Sequence, residues 1–315
     1  MLGLGLSMLT GGALRPYYAV VAAAFKERVE ADGGTVESMS CLKQDLKVLN
    51  PIKPPAFTGL LNDYSGAAAA YSLRLLDNTY SGDAVVVRRA SDNTTQSIGF
   101  VNNELDTATL ESFCSGTDGF VTTWYDQSGN GNDAAQATAS AQPKIVSSGS
   151  TILENSKAAV QYDGTDDQLQ MTTAIDLTNT FFVPLVYKSN RTSSEDYVLY
   201  GDSGGTRIRL YSGLYRLYID NTTYDFTTPN DNFGTQYLFT NEANASGDLV
   251  VYRDGSALGA PQSIPSTDNW IVEFIGYGAS RPINGLMQEV VIWNADQSSN
   301  RTGIETNINS YYSIY

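Results

Sequence analysis

From about residue 60 to residue 294 the chain alternates between apolar and polar positions. The clearest runs are AVVVRRAS (84–91), GFVTTWYD (119–126), KAAVQYDG (157–164), TFFVPLVY (180–187), TRIRLYSGLYRLYID (206–220), DLVVYRDG (248–255) and GLMQEVVIWN (285–294). Clusters of Gly, Asn, Asp and Ser separate them. Short strand-like runs at close intervals predict an antiparallel sandwich or barrel. Ser212-Gly213 lies between two alternating runs and reads as a tight hairpin turn, and Asp254-Gly255 gives a second turn signal. Alternation in the 206–220 hairpin sets Ile208 and Leu210 on one side and Arg207, Arg209 and Tyr211 on the other. Arg216 and Tyr218 share a face in the returning strand.

The first 58 residues have a different period. Pro16 suits a first helical position, YAVVAAAFKERVEA follows, and Gly33-Gly34 breaks the run. Val36, Met39, Leu42, Leu46 and Leu49 then recur at helical spacing. A two-helix hairpin of this size cannot bury both its faces alone, so it needs the following domain or another subunit. NPIKPPAF (50–57) reads as a proline-stiffened linker. The apolar stretch before Pro16 lacks a basic start and is cut by glycines. It is expected to be a buried or partner-bound arm, with no membrane insertion. Near the C-terminus, Ile304 and Ile308 lie four apart behind a serine cap candidate and predict a short closing helix. The expected organisation is a helical segment over 1–58, for attachment or oligomerisation, and a β domain over 59–315.

Composition narrows the chemistry. The net charge of −15 would repel a phosphate backbone, which argues against nucleic acid as a partner. With no histidine in the chain, the commonest general base and the usual zinc ligand are missing. The two cysteines, Cys41 and Cys114, form neither a disulfide framework nor a zinc site. Carboxylate chemistry remains, and Glu195, Asp196, Asp202, Glu242, Glu273 and Glu289 are available for it. A glycosidase needs two carboxyl groups about 5–5.5 Å apart for retention or about 6.5–9.5 Å for inversion. Nothing in the sequence pairs these residues.

AYSLRLL (70–76), YSGDAVVVRRASDNTTQSIGF (80–100), LDTATLESFC (105–114) and TWYDQSGNGN (123–132) resemble, in order and spacing, the N-terminal half of the catalytic domain of fungal-type α-L-arabinofuranosidase B. The resemblance implies a concanavalin A-like jelly roll. DLVVYRDGSAL (248–258) and FIGYGASRPINGLMQEVVIWN (274–294) are similar to the last strands of laminin-G-like and concanavalin-like domains. The helical head, FKERVEADGGTVESMSCLKQDL, joined to such a jelly roll also resembles a group of bacteriophage virion proteins. The departures from the enzyme family are specific. No second cysteine follows Cys114, and there is no adjacent cysteine pair. The family's nucleophilic Glu lies in an Asp-Leu-Glu strand, whereas RLYSGLYRLYID (209–220) offers no Glu. The family's acid follows an Ile-Gly-Gly segment, whereas IGYGAS (275–280) has no carboxylate.

Three stretches are candidate sites. Asp126, Gln127, Ser128, Gly129 and Asn132 read either as a glycan-side carboxylate loop or as a turn built by Asx-type hydrogen bonds and glycines at positive φ, and the turn is favoured. Asp163, Asp166 and Asp167 cluster on one loop, a start for calcium coordination or a plain acidic hairpin; apart from calcium, no cofactor is expected. Arg207, Arg209, Tyr211, Arg216 and Tyr218 form a face suited to sugar recognition, a protein interface or simple solvation. The resulting expectation is a mainly β phage structural protein in the virion, assembled in the host cytoplasm. Its role would be tail or capsid decoration, and its partners other virion proteins, its own copies in a homo-oligomer such as a trimer, or a host-surface glycan. The alternative is an arabinofuranosidase-like glycoside hydrolase or tail-borne depolymerase.

Overall fold

Strands such as Leu214–Ile219 bury alternate side chains, while Phe181–Ser189, Gln236–Ala243 and Asn284–Ile292 are buried on both faces. The computed structural model describes residues 57–315 apart from 178–179, 193–195, 202–206, 212, 220–221, 229–232, 265–269 and 277–281, and apart from the side chains of Tyr197, Tyr200 and Tyr211. The chain divides into Met1–Ala56 and Phe57–Tyr315. The arm and helical hairpin expected before residue 50, and most of the proline-rich linker, lie outside the described residues.

The elements that matter for the site are, in chain order, α1 (Leu60–Asp63), β1 (Ala69–Ser72), β2 (Val85–Arg89), α2 (Thr107–Phe113), β3 (Gly119–Trp124), β4 (Val160–Asp163), β5 (Leu169–Asp176), β6 (Phe181–Ser189), β7 (Asp196–Tyr200), β8 (Arg207–Tyr211), β9 (Leu214–Ile219), β10 (Thr222–Thr227), β11 (Gln236–Ala243), β12 (Asp248–Arg253), β13 (Ile271–Ile275), β14 (Asn284–Ile292) and α3 (Arg301–Tyr312). All the ladders among them are antiparallel. β14 pairs with β1, β4 and β6, and β6 continues to β11 and β12. The other layer runs β2–β3, then through the short strand Ala134–Ala135 to β5–β13–β7–β8–β9–β10. Lys144–Ser147 pairs with both β3 and β4 and joins the two layers into one nearly closed sheet. This is the sandwich-like β fold expected from the alternation, of the jelly-roll type that the resemblance implies.

The main core lies between the layers. It takes Trp124, Tyr162, Phe181, Tyr187, Tyr215, Phe239 and Trp270 from facing strands. Trp270 meets Phe181 edge-on at 4.5 Å, and Tyr215 stacks on Phe239 at 4.7 Å. A second core covers the outside of the β14–β6–β11 layer, where α1 and α3 bury Leu60, Leu61, Ile304, Ile308 and Tyr312 against Phe182, Val186, Leu238 and Trp293. Cys114, a free thiol, is buried beside Gly119, where a Cβ would come within 2.7 Å of its sulfur.

Turn chemistry sets the registers. Asp254-Gly255 has φ of 53° and 75° between the paired residues Arg253 and Ser256, a two-residue turn with both centres left-handed. Asn102-Asn103 and Asn155-Ser156 do the same without glycine, using the tolerance of Asn for positive φ. The sequence reading overlooked α2. Its start signal was legible, because Asp106 caps the helix by accepting from the Thr109 amide at 3.0 Å. Among the described residues no helix is long and apolar enough to cross a membrane.

Candidate functional site

In the β8–β9 hairpin Tyr211 stands opposite Leu214 and Gly213 has φ 67°, while Ser212 of the expected turn lies outside the described residues. Ile208, Leu210, Tyr215, Leu217 and Ile219 point into the core. Arg207, Arg209, Arg216 and Tyr218 are therefore left on the outer face, each half-buried. Arg207 stands opposite Tyr218 with its guanidinium 4.2 Å from the ring centre, and Arg209 reaches the same ring at 5.6 Å. Arg209 is also directly opposite Arg216. Two like charges in that register repel. The next strand relieves the repulsion, because Asp225 on β10 takes Arg216 in a two-point ion pair at 2.5 and 2.7 Å. The result is a face that gathers three arginines around the Tyr218 ring. Tyr211 sits at the end of the same hairpin, and its side chain is outside the described residues.

One register row extends this face across the layer: Gln170, Phe274, Tyr200, Arg207, Tyr218 and Thr223 are successive cross-strand partners. Gln170 also holds Glu273, donating from Nε2 to Oε1 at 2.8 Å. Sequence reasoning missed Asp225 and the Gln170–Glu273 pair, because their relevance depends on which strands become neighbours. Glu273 and Asp225 are separated by four strand spacings, about 19 Å at the usual distance between strands. That is far beyond the separation of a glycosidase pair.

The other carboxylates named from sequence are paired, buried or outside the described residues. Asp196 is fully buried and accepts from Tyr187 and the Asn284 amide, with Ser189 and Arg191 also on it. Glu289 is paired with Arg74. Glu242 is buried beneath α3, and burial raises its carboxyl above the usual range. Glu195 and Asp202 lie outside the described residues.

In the 126–132 loop, the Asp126 carboxylate accepts from the amides of Ala70, Ser128 and Asn132 at 2.8, 2.8 and 3.0 Å, and from the Ser128 hydroxyl at 2.7 Å. Gln127 accepts from the Leu76 amide and donates to the carbonyls of Ser72 and Arg74. Asn132 exchanges two hydrogen bonds with the backbone of Thr173. Gly129 and Gly131 take φ of 88° and 68°. These side chains fasten the loop to β1 and β5.

The structure brings Asp163, Asp166 and Asp167 together, with one carboxylate oxygen of each within 4.8 Å of the others. The donor set is of the hard-oxygen kind that suits calcium. Two of its oxygens already accept amides: Thr165 donates to Asp163 and Asp163 donates to Asp167. Burial, with the neighbouring Asp163 and Asp166 charges, pushes the Asp167 carboxyl up to about 7.

Residues 63–169 match the family model for the catalytic domain of α-L-arabinofuranosidase B. Over 72 residues the chain is 42% identical to α-L-arabinofuranosidase B of Emericella nidulans and 40% identical to a probable α-L-arabinofuranosidase B of Aspergillus flavus. Those segments cover 22% of this chain and 14% of each relative. Among solved structures, an α-L-arabinofuranosidase of glycoside hydrolase family 54 soaked with a cyclic sulfate inhibitor superposes with a TM-score of 0.57 at 16% identity. An arabinofuranosidase complexed with arabinofuranosyl-α-1,2-xylobiose gives 0.54 at 18%. In both cases the superposition covers 77% of this chain and 62% of the other. The chain thus has the fold of these enzymes and resembles their catalytic domain in sequence over one segment. The expectation of a phage structural protein in the virion, in a tail-fibre or capsid-decoration role, is overturned by these relatives, which are fungal glycosidases.

Proposed function

We propose that the chain carries a glycoside-hydrolase domain of the α-L-arabinofuranosidase B type, acting on arabinofuranosyl groups that cap a glycan. The observation that carries this reading is the 63–169 segment, with its 40–42% identity over 72 residues to enzymes of that name. The outer face of β8 and β9 is the docking surface. Arg207, Arg209 and Arg216 offer fixed guanidinium donors to sugar hydroxyls, and the Tyr218 ring offers an apolar plane to their C–H faces. Hydrolysis requires an acid and a second carboxylate in reach of one glycosidic bond. Glu273 lies on this face, while Glu195, Asp202 and Asp220 adjoin its strands in sequence. These four residues supply the carboxylates in this reading.

One observation favours a second reading, recognition of the same sugar without cleavage. The hairpin corresponding to the family's nucleophile strand carries arginines and tyrosines and no Glu. The test is incubation of the full chain with 4-nitrophenyl α-L-arabinofuranoside, together with calorimetric titration of arabinofuranosyl-xylobiose. Nitrophenol release that is lost in one of E273Q, E195Q, D202N or D220N supports hydrolysis. Binding that produces no release, and that weakens about tenfold in R209A, supports recognition alone. The absence of both release and binding rejects the two readings together.

A further inference from the structure

The first turn of α3 closes over two poorly compensated carboxyl groups. Glu242 on β11 and Glu305 on α3 are each only 3% exposed. Glu242 stands in register between Phe182 of β6 and Val250 of β12, so its flanks are apolar. Oε2 of Glu242 and Oε1 of Glu305 are buried with no hydrogen-bond partner among the described residues. The other oxygen of Glu305 accepts from Arg301, one turn earlier, at 2.6 Å. The Arg301 guanidinium lies 4.0 Å from the centre of the Tyr252 ring on β12. Asp296, in the segment leading into α3, adds a third carboxyl. Burial opposes its ionisation, but hydrogen bonds from Ser298 and the Ala245 amide outweigh that and hold it below the ordinary range. On the other sides of the helix, α1 sets Tyr64 against Gly303, and Tyr315 stands within the influence of Glu305 and Asp254. Among the described residues, Arg301 is the cation that acts on both Glu242 and Glu305.

An ionised carboxylate buried without full pairing is costly, whereas the protonated acid is tolerated. The C-terminal half of α3 is held by other means, because Asn307 accepts from Arg74 and the Tyr312 hydroxyl bonds to Glu289. We propose that the first turn of α3 is a pH-sensitive latch, closed on β11 while Glu242 and Glu305 keep their protons and released when both ionise, with the rest of the helix staying docked. Burial pushes the Glu242 carboxyl above the ordinary range, against Arg301 and with Asp296 and Glu305. Burial likewise raises Glu305, despite Arg301. The closed turn therefore binds more protons than the open one. Its stabilisation is fully present below the ordinary carboxyl range and is lost as pH rises through the raised values. Within that window each carboxyl changes the opening equilibrium about tenfold per pH unit. Release also lifts Ile304 out of the outer core.

The latch is independent of the reading given for the arginine face. It is tested by amide hydrogen exchange on the full chain from about pH 4 to about pH 7, with rates corrected for the intrinsic pH dependence of exchange. The Ile304 amide, bonded to the Asn300 carbonyl, reports the first turn. The amides of Ile308 to Tyr312 report the other half of the helix. Protection at Ile304 is expected to fall at least about tenfold across the range, and by more than the protection at Ile308 to Tyr312. Glu242→Gln, which cannot ionise, should remove most of this difference, and the double variant E242Q/E305Q all of it. The proposal is overturned if protection at Ile304 does not change with pH, or if it falls no more than that of the second half. Both outcomes are read in the unsubstituted chain, so they do not depend on a variant folding. A pH dependence at Ile304 that survives in E242Q/E305Q with unchanged circular dichroism overturns it as well.

Discussion

At the scale of single residues, Asp126 shows how a conspicuous motif can be occupied by architecture. Its carboxylate receives four hydrogen bonds, three of them from backbone amides spread over β1 and the loop. Asp126→Ala leaves buried donors without acceptors, each costing about 1–3 kcal/mol. The expected loss is about 3 kcal/mol or more in urea unfolding, and Asp126→Asn should lose less. Asp167 gives a pH prediction. Its folded carboxyl is raised to about 7 against an ordinary 3.8. The folded state therefore binds more protons than the unfolded state between those values, and stability falls as pH rises from about 4 to 7. At roughly 1.4 kcal/mol per unit, the slope should amount to a few kcal/mol. Asp167→Asn should flatten it while keeping an acceptor for the Asp163 amide. Chemical denaturation across that pH range, without added divalent cations, would check this.

At the scale of elements, the C-terminal helix α3 docks by an apolar stripe and an ionic tie. Ile304, Ile308 and Tyr312 fill the outer core. Beside them, Glu289 on β14 takes two hydrogen bonds from Arg74, at 2.7 and 2.9 Å, and others from Ser72 and Tyr312. Arg74 also donates to Asn307 of α3. Arg74→Met leaves the Glu289 carboxylate buried and unpaired, and should cost about 3–5 kcal/mol. The double variant R74M/E289M should recover much of that loss, because the uncompensated charge is gone. A double-mutant cycle in urea measures both. The helix was legible from the four-residue spacing of Ile304 and Ile308. The ion pair was not, because its two partners lie 215 positions apart.

At the scale of the molecule, the chain carries a net charge of −15, and three of its arginines share the outer face of β8 and β9. Neutral arabinofuranosyl ligands should bind with an affinity nearly independent of salt, since no long-range field acts on them. Uronate-bearing glycans should be repelled at low salt and bind better as screening shortens the Debye length from about 30 Å at 0.01 M to about 8 Å at 0.15 M. Titrations at those two ionic strengths separate the cases.

The sequence alone determined the β class, the positions of many strands and the inward side of the β8–β9 hairpin. Each of these is local, because a period of two and a turn residue act within a few positions of the chain. It also carried the arabinofuranosidase resemblance of the middle segment. The resemblance of residues 25–49 drew the functional reading toward a phage particle, and the relatives of the β domain corrected it. Tertiary structure decided the rest. It set which strands became neighbours and so gave Asp225 to Arg216 and Gln170 to Glu273. It buried Asp167 beside two other carboxylates, which raised its pKa. It also set the shift in the pairing of β5 against β13 between Gln170 and Ile175. The Gln170–Glu273 pair joins positions far apart in the chain, and even the Arg216–Asp225 pair, nine positions apart, waits on the register between β9 and β10.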